Sequence, residues 1–81
     1  MELYKWYKGD ELPDRECDCV IVCGGVFVWE AKRINSLGYT QITENILGEK
    51  IVKFIELPSG ESIPQEDIIA YMPIEFPKEV S

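Results

Sequence analysis

Two consecutive glycines, Gly24-Gly25, separate two runs rich in β-branched and aromatic residues, Cys17 to Cys23 and Val26 to Arg33. Glycine adopts positive φ without steric cost, so the pair suits a two-residue hairpin turn. Such a turn predicts antiparallel pairing of Cys23 with Val26, Val22 with Phe27, Val20 with Trp29, Asp18 with Ala31 and Glu16 with Arg33. Side chains alternate along a strand, which places Val20, Val22, Phe27, Trp29 and Ala31 on one face. The two large aromatics assign that face to the core. The other face carries Cys17, Cys19, Ile21, Cys23, Val26 and Val28, too apolar near the turn to stand fully in water, so partial cover is expected.

The flanking sequence reads as further short strands. Leu3 to Tyr7 is aromatic and strand-like, and Gly9, Asp10, Pro13 and Asp14 mark residues 8–16 as a loop. In residues 34–50, Asn35-Ser36-Leu37-Gly38 and Asn45-Ile46-Leu47-Gly48 have turn composition and enclose a short strand at Tyr39 to Thr43. A helical turn there is the weaker alternative, because β-branched Thr40, Ile42 and Thr43 disfavour it. Ile51 to Leu57 predicts a strand ending in a Pro58-Ser59-Gly60 turn. Ile63 to Asp67 suits one helical turn, with proline at its start and acids at its positive end. Ile68 to Met72 predicts a last strand stopped by Pro73. The expected fold is mostly β over residues 1–81 as a single domain: a small antiparallel twisted sheet, of five strands, or a half-open barrel, with at most one short helical turn.

The order of these segments resembles a bacterial and phage family, domain of unknown function 551. The resemblance rests on Trp6, Leu12-Pro13-Asp14, the strand Asp18-Cys19-Val20-Ile21-Val22, and the closing Tyr71-Met72-Pro73-Ile74 with Pro77. It covers most of the chain except residues 34–50. Ala70 occupies a place where that family often has histidine, and Tyr71 one where tryptophan is usual. The resemblance implies a small β-rich protein of phage or prophage origin and assigns it no reaction.

Charge and composition narrow the function classes. Fifteen acidic residues against eight basic ones give a net charge of −7, which opposes direct binding to nucleic-acid phosphates. The chain has no histidine and therefore lacks the commonest general base. The first residues lack the apolar run of a signal peptide, and Val20 to Val28, interrupted by Gly24-Gly25, is too short to span a bilayer. Three cysteines, an odd number, fit reduced thiols in the cytoplasm better than a disulfide framework.

Three residue sets carry candidate chemistry. Cys17, Cys19 and Cys23 offer thiolates for a metal, but zinc needs its sulfurs roughly 3.8 Å apart, and alternate strand residues stand about 6.7 Å apart. Small half-buried hydrophobes are the favoured reading. A cysteine nucleophile would lack a histidine partner, and Asp18 would raise the thiol pKa. Asp10, Glu11, Asp14, Glu16 and Asp18 crowd five carboxylates into nine residues. They form either a solvated loop or an acidic protein-binding surface, of which phosphate mimicry toward a nucleic-acid enzyme is one form. The calcium-loop spacing is absent. Tyr4, Trp6, Tyr7, Trp29 and Tyr71 form either a stacking platform or core packing, and the missing positive groove favours packing. The expectation is a non-enzymatic protein without cofactor or metal that binds a protein partner, with a homodimer also compatible with unpaired strand edges.

Overall fold

The computed structural model describes residues 1–24 and 33–75, the side chains of residues 33 and 34 excepted. Among the described residues six strands form one antiparallel sheet: β1 (Tyr7–Lys8), β2 (Asp18–Cys23), β3 (Arg33–Glu44), β4 (Lys50–Glu56), β5 (Glu61–Pro64) and β6 (Ile68–Pro73). Their order is β1-β6-β2-β3-β4-β5, and the sheet does not close into a barrel. A 3-10 turn, η1 (Gln65–Asp67), follows Pro64, as the proline and the acids Glu66 and Asp67 predict. The Leu57–Pro58 peptide in the β4–β5 turn is cis.

The partner of β2 differs from the expected one. Asp18 lies opposite Tyr39, Cys19 opposite Gly38, Val20 opposite Leu37, and Cys23 opposite Arg33. The partners of Asp18, Val20 and Cys23 are therefore Tyr39, Leu37 and Arg33, in place of the expected Ala31, Trp29 and Val26. Gly25, Phe27, Trp29 and Ala31, on which the hairpin reading depended, lie outside the described residues. The inward face is also reversed. Cys19, Ile21 and Cys23 are buried, whereas Val20 and Val22 are half-buried on the outer face. The reason is β6, which pairs with β2 on its other side and brings Tyr71 opposite Ile21. Tyr71 is fully buried, stacked on Tyr7 at a ring-centroid distance of 5.8 Å and tilted against Phe54 at 5.3 Å. This aromatic cluster offers more apolar area than Val20 and Val22 could gather, so it decides which face is buried.

The Asn35 to Gly38 segment does not turn; it lies within the twelve-residue β3. Between the pairs Ile21–Ser36 and Cys23–Arg33, β3 advances one residue more than β2, which is a β-bulge. Asn35 has φ +58 there, the left-handed conformation that asparagine tolerates. A second slip on the other side of β2 leaves an extra residue, Ile69, on β6. Both bulges sit at the Cys23 end of β2, where added twist curls the sheet. The chain requires that curl. In a flat sheet β5 and β6 would stand four strand spacings apart, about 19 Å, while a three-residue 3-10 turn spans only about 8 Å.

Candidate functional site

The curled sheet leaves a seam between β5 and β6, and a groove of about 790 Å³ opens there. Val52, Ile63 and Ile68 supply apolar floor, and Lys50 and Lys53 stand on the β4 wall. Asp10 and Glu66 belong to the wall made by η1 and the loop after β1. Gly9 shapes this end: its N–H donates to the Ile69 carbonyl at 3.0 Å, and a Cβ in its place would collide with the Ile68 carbonyl. β5 pairs with β4 only from Lys53–Pro64 to Glu56–Glu61, so Lys50 to Val52 extend past the end of their neighbour. Neither the groove nor these lysines emerged from the sequence reading. The groove depends on how far β5 runs before the turn, which residue types alone do not encode.

The five crowded carboxylates do not act as one array. The Glu16 carboxylate accepts hydrogen bonds from the Tyr39 hydroxyl at 3.0 Å and from the Ile42 N–H at 3.2 Å, which fastens the loop to β3. That bond also raises the Tyr39 pKa, with smaller additions from burial and nearby negative charge. Asp14 accepts from the Met1 ammonium at 2.9 Å, and this hydrogen bond is the main cause holding its carboxyl below the ordinary range. Asp18 is half-buried on β2. Asp10 and Glu11 remain exposed in the loop that follows β1.

The cysteines lie along one strand direction. Cys19 and Cys23 are buried in the core four residues apart, about 13 Å on an extended chain, too far for a shared tetrahedral ion. Among the described residues no cluster of three metal-ligating side chains forms. Burial, and then the charges of Cys17 and Asp18, push the Cys19 thiol up to about 12, the reverse of what a nucleophile needs.

The aromatics divide. Tyr7 and Tyr71 belong to the core, and Trp29 lies outside the described residues. Tyr4 and Trp6 are 62% and 48% exposed, and Leu3 and Leu12 are exposed as well. Tyr4 is held in place: its N–H donates to the Pro73 carbonyl at 2.7 Å, its hydroxyl to the Glu75 carbonyl at 3.5 Å, and its φ is +60. An aromatic residue in that left-handed region costs about 1–2 kcal/mol. No helix among the described residues is long and apolar enough to cross a membrane. No family model, curated protein or solved structure matches the chain.

Proposed function

We propose that this chain is a non-enzymatic accessory protein that binds a basic macromolecular partner through the aromatic and acidic surface of residues 2–12. The observation that carries the reading is the fixed exposure of Tyr4 and Trp6 beside β1, on backbone tied to β6. Tyrosine and tryptophan are the side chains interfaces favour, because they offer large amphipathic area at small entropic cost. The left-handed Tyr4 supports this, since backbone strain concentrates where a side chain is displayed for use. Glu11 and Asp10, exposed in the adjoining loop, favour a basic partner and faster encounter with it. The resemblance carried by Trp6, Leu12-Pro13 and Tyr71-Met72-Pro73 adds a phage or mobile-element setting.

Immobilised protein tests the reading by capture from host lysate, with Trp6→Ser and Glu11→Lys variants alongside the parent. The expected result is one protein retained by the parent, released by raising sodium chloride to about 0.5 M, and lost from both variants. Equal retention by the parent and Trp6→Ser would dispose of the aromatic surface. Retention insensitive to salt and to Glu11→Lys would dispose of the basic partner.

A further inference from the structure

The β3–β4 turn combines tight fastening with an apolar apex. Asn45 N–H donates to the Glu49 carbonyl and Gly48 N–H to the Asn45 carbonyl, both at 3.0 Å. The Asn45 side-chain oxygen accepts from the Leu47 and Glu49 N–H groups at 2.9 Å each. Gly48 has φ +80, which closes the turn. None of these bonds uses the side chains at the apex, where turns ordinarily place polar residues. Ile46 and Leu47 nevertheless occupy it, 104% and 80% exposed. They touch neither the core nor the groove of their own chain. Glu44 and Glu49, both exposed, flank them.

The β4–β5–η1 groove offers an apolar floor and one basic wall. Its β4 wall carries Lys50 and Lys53, its opposite wall Asp10 and Glu66, and its volume accommodates more than one aliphatic side chain. Among the described residues neither lysine is in an ion pair. Tip and groove belong to the same hairpin, with the apex at residues 46–47 and the lysine wall at 50–53, so they lie about 10–20 Å apart along it. Two such hairpins laid antiparallel bring each apex to the other's lysine wall at once, the self-complementary arrangement a two-fold axis requires.

We infer that the groove is occupied by a second copy of this chain: the Ile46–Leu47 apex of each protomer seats in the groove of the other, with Glu44 and Glu49 facing the other copy's lysine wall. The groove shares Gly9 and Asp10 with the surface of residues 2–12, but none of the substitutions that test it falls there, so the two readings fail separately. The net charge of −7 on each copy opposes association, and the dimer is therefore expected to be weak and concentration-dependent.

Sedimentation equilibrium of the full chain from about 5 to about 500 µM in about 150 mM salt reads the association directly. The parent dimerises across that range. Ile46→Ser with Leu47→Ser weakens the dimer at least about 10-fold, and the exposure of both positions leaves the fold, checked by circular dichroism, unchanged. Charge reversal fixes the interface. Glu44→Lys with Glu49→Lys in one protein, and Lys50→Glu with Lys53→Glu in another, are each monomeric alone, and an equimolar mixture restores the dimer. A parent that stays monomeric throughout overturns the inference, including where an extended peptide is later found in the groove. So does a dimer untouched by the apex substitutions, or a mixture of the charge-reversed proteins that stays monomeric.

Discussion

Thr40, fully buried on β3, ties the start of β2 to the sheet through its N–H, which donates to the Cys17 carbonyl at 2.9 Å, and through its hydroxyl. The hydroxyl oxygen accepts from the Cys17 N–H at 2.9 Å and donates toward the Arg15 carbonyl at 3.2 Å. Thr40→Val keeps the shape and removes both bonds, which strands a backbone donor and should cost about 1–3 kcal/mol. Thr40→Ser should recover most of it, and urea midpoints compare the three proteins. Equal midpoints for valine and threonine would show that water replaces the hydroxyl. Two other buried groups set the alkaline limit. Burial pushes the Tyr71 hydroxyl, and likewise the Cys19 thiol, up to about 12, from ordinary values of 10.0 and 9.0. The folded chain thus holds protons that the unfolded chain releases first, so this stabilisation is complete below about pH 9 and is lost as pH rises toward 12. Urea midpoints should be level from pH 7 to about 8.5 and then fall, and Tyr71→Phe should flatten the part above about pH 10. A midpoint unchanged up to pH 11 contradicts the burial of both groups.

Asparagine 35 shows what residue types specify within an element and what they leave open. Its tolerance of positive φ was legible, and the structure uses it, but in a bulge within β3 rather than in a turn. A local preference for left-handed geometry does not distinguish the two. Which one forms depends on whether flanking residues find partners, and Leu37 and Gly38 find Val20 and Cys19. The same limit explains the reversed face of β2. Alternation was legible along Asp18 to Cys23, but its direction depends on Tyr71 and Phe54, which are distant in the chain. Turns with no such competition, at Asn45 to Gly48 and Pro58 to Gly60, and the 3-10 turn after Pro64 lie where composition puts them. The candidate sites divide likewise. Exposed Trp6 belonged to a set readable in the sequence, whereas the groove comes from the curl of the sheet. The apex did carry a signal, two aliphatics at the centre of a turn motif. If the bulge depends on φ, Asn35→Gly should leave stability level or slightly raised, while Asn35→Val should cost about 1–2 kcal/mol in thermal or urea unfolding. A neutral valine would mean that the bulge relaxes into regular pairing.

At the scale of the whole molecule, charge density outweighs any one contact. The described residues form a body of 38 × 35 × 24 Å with a radius of gyration of 12.9 Å, in a chain of fifteen acids and eight bases. An unfolded chain of this length has a radius near 28 Å, so folding brings the excess negative charge closer together. The screening length at 0.01 M salt is about 30 Å, comparable to the molecule, and nearly every acid feels every other. At 0.15 M it is about 8 Å, and only neighbours remain coupled. Salt should therefore stabilise the fold, by about 1 kcal/mol or about 4–8 °C in midpoint over that range, with most of the gain below 0.15 M. The measurement belongs at protein concentrations below the association range, where self-association adds nothing to the midpoint. A chain held mainly by surface ion pairs would respond in the opposite direction, because screening weakens attraction as it weakens repulsion. The sign of the change thus shows whether local contacts such as the Met1–Asp14 pair or the collective repulsion governs the surface, and a fall in midpoint with added salt would reverse that assignment.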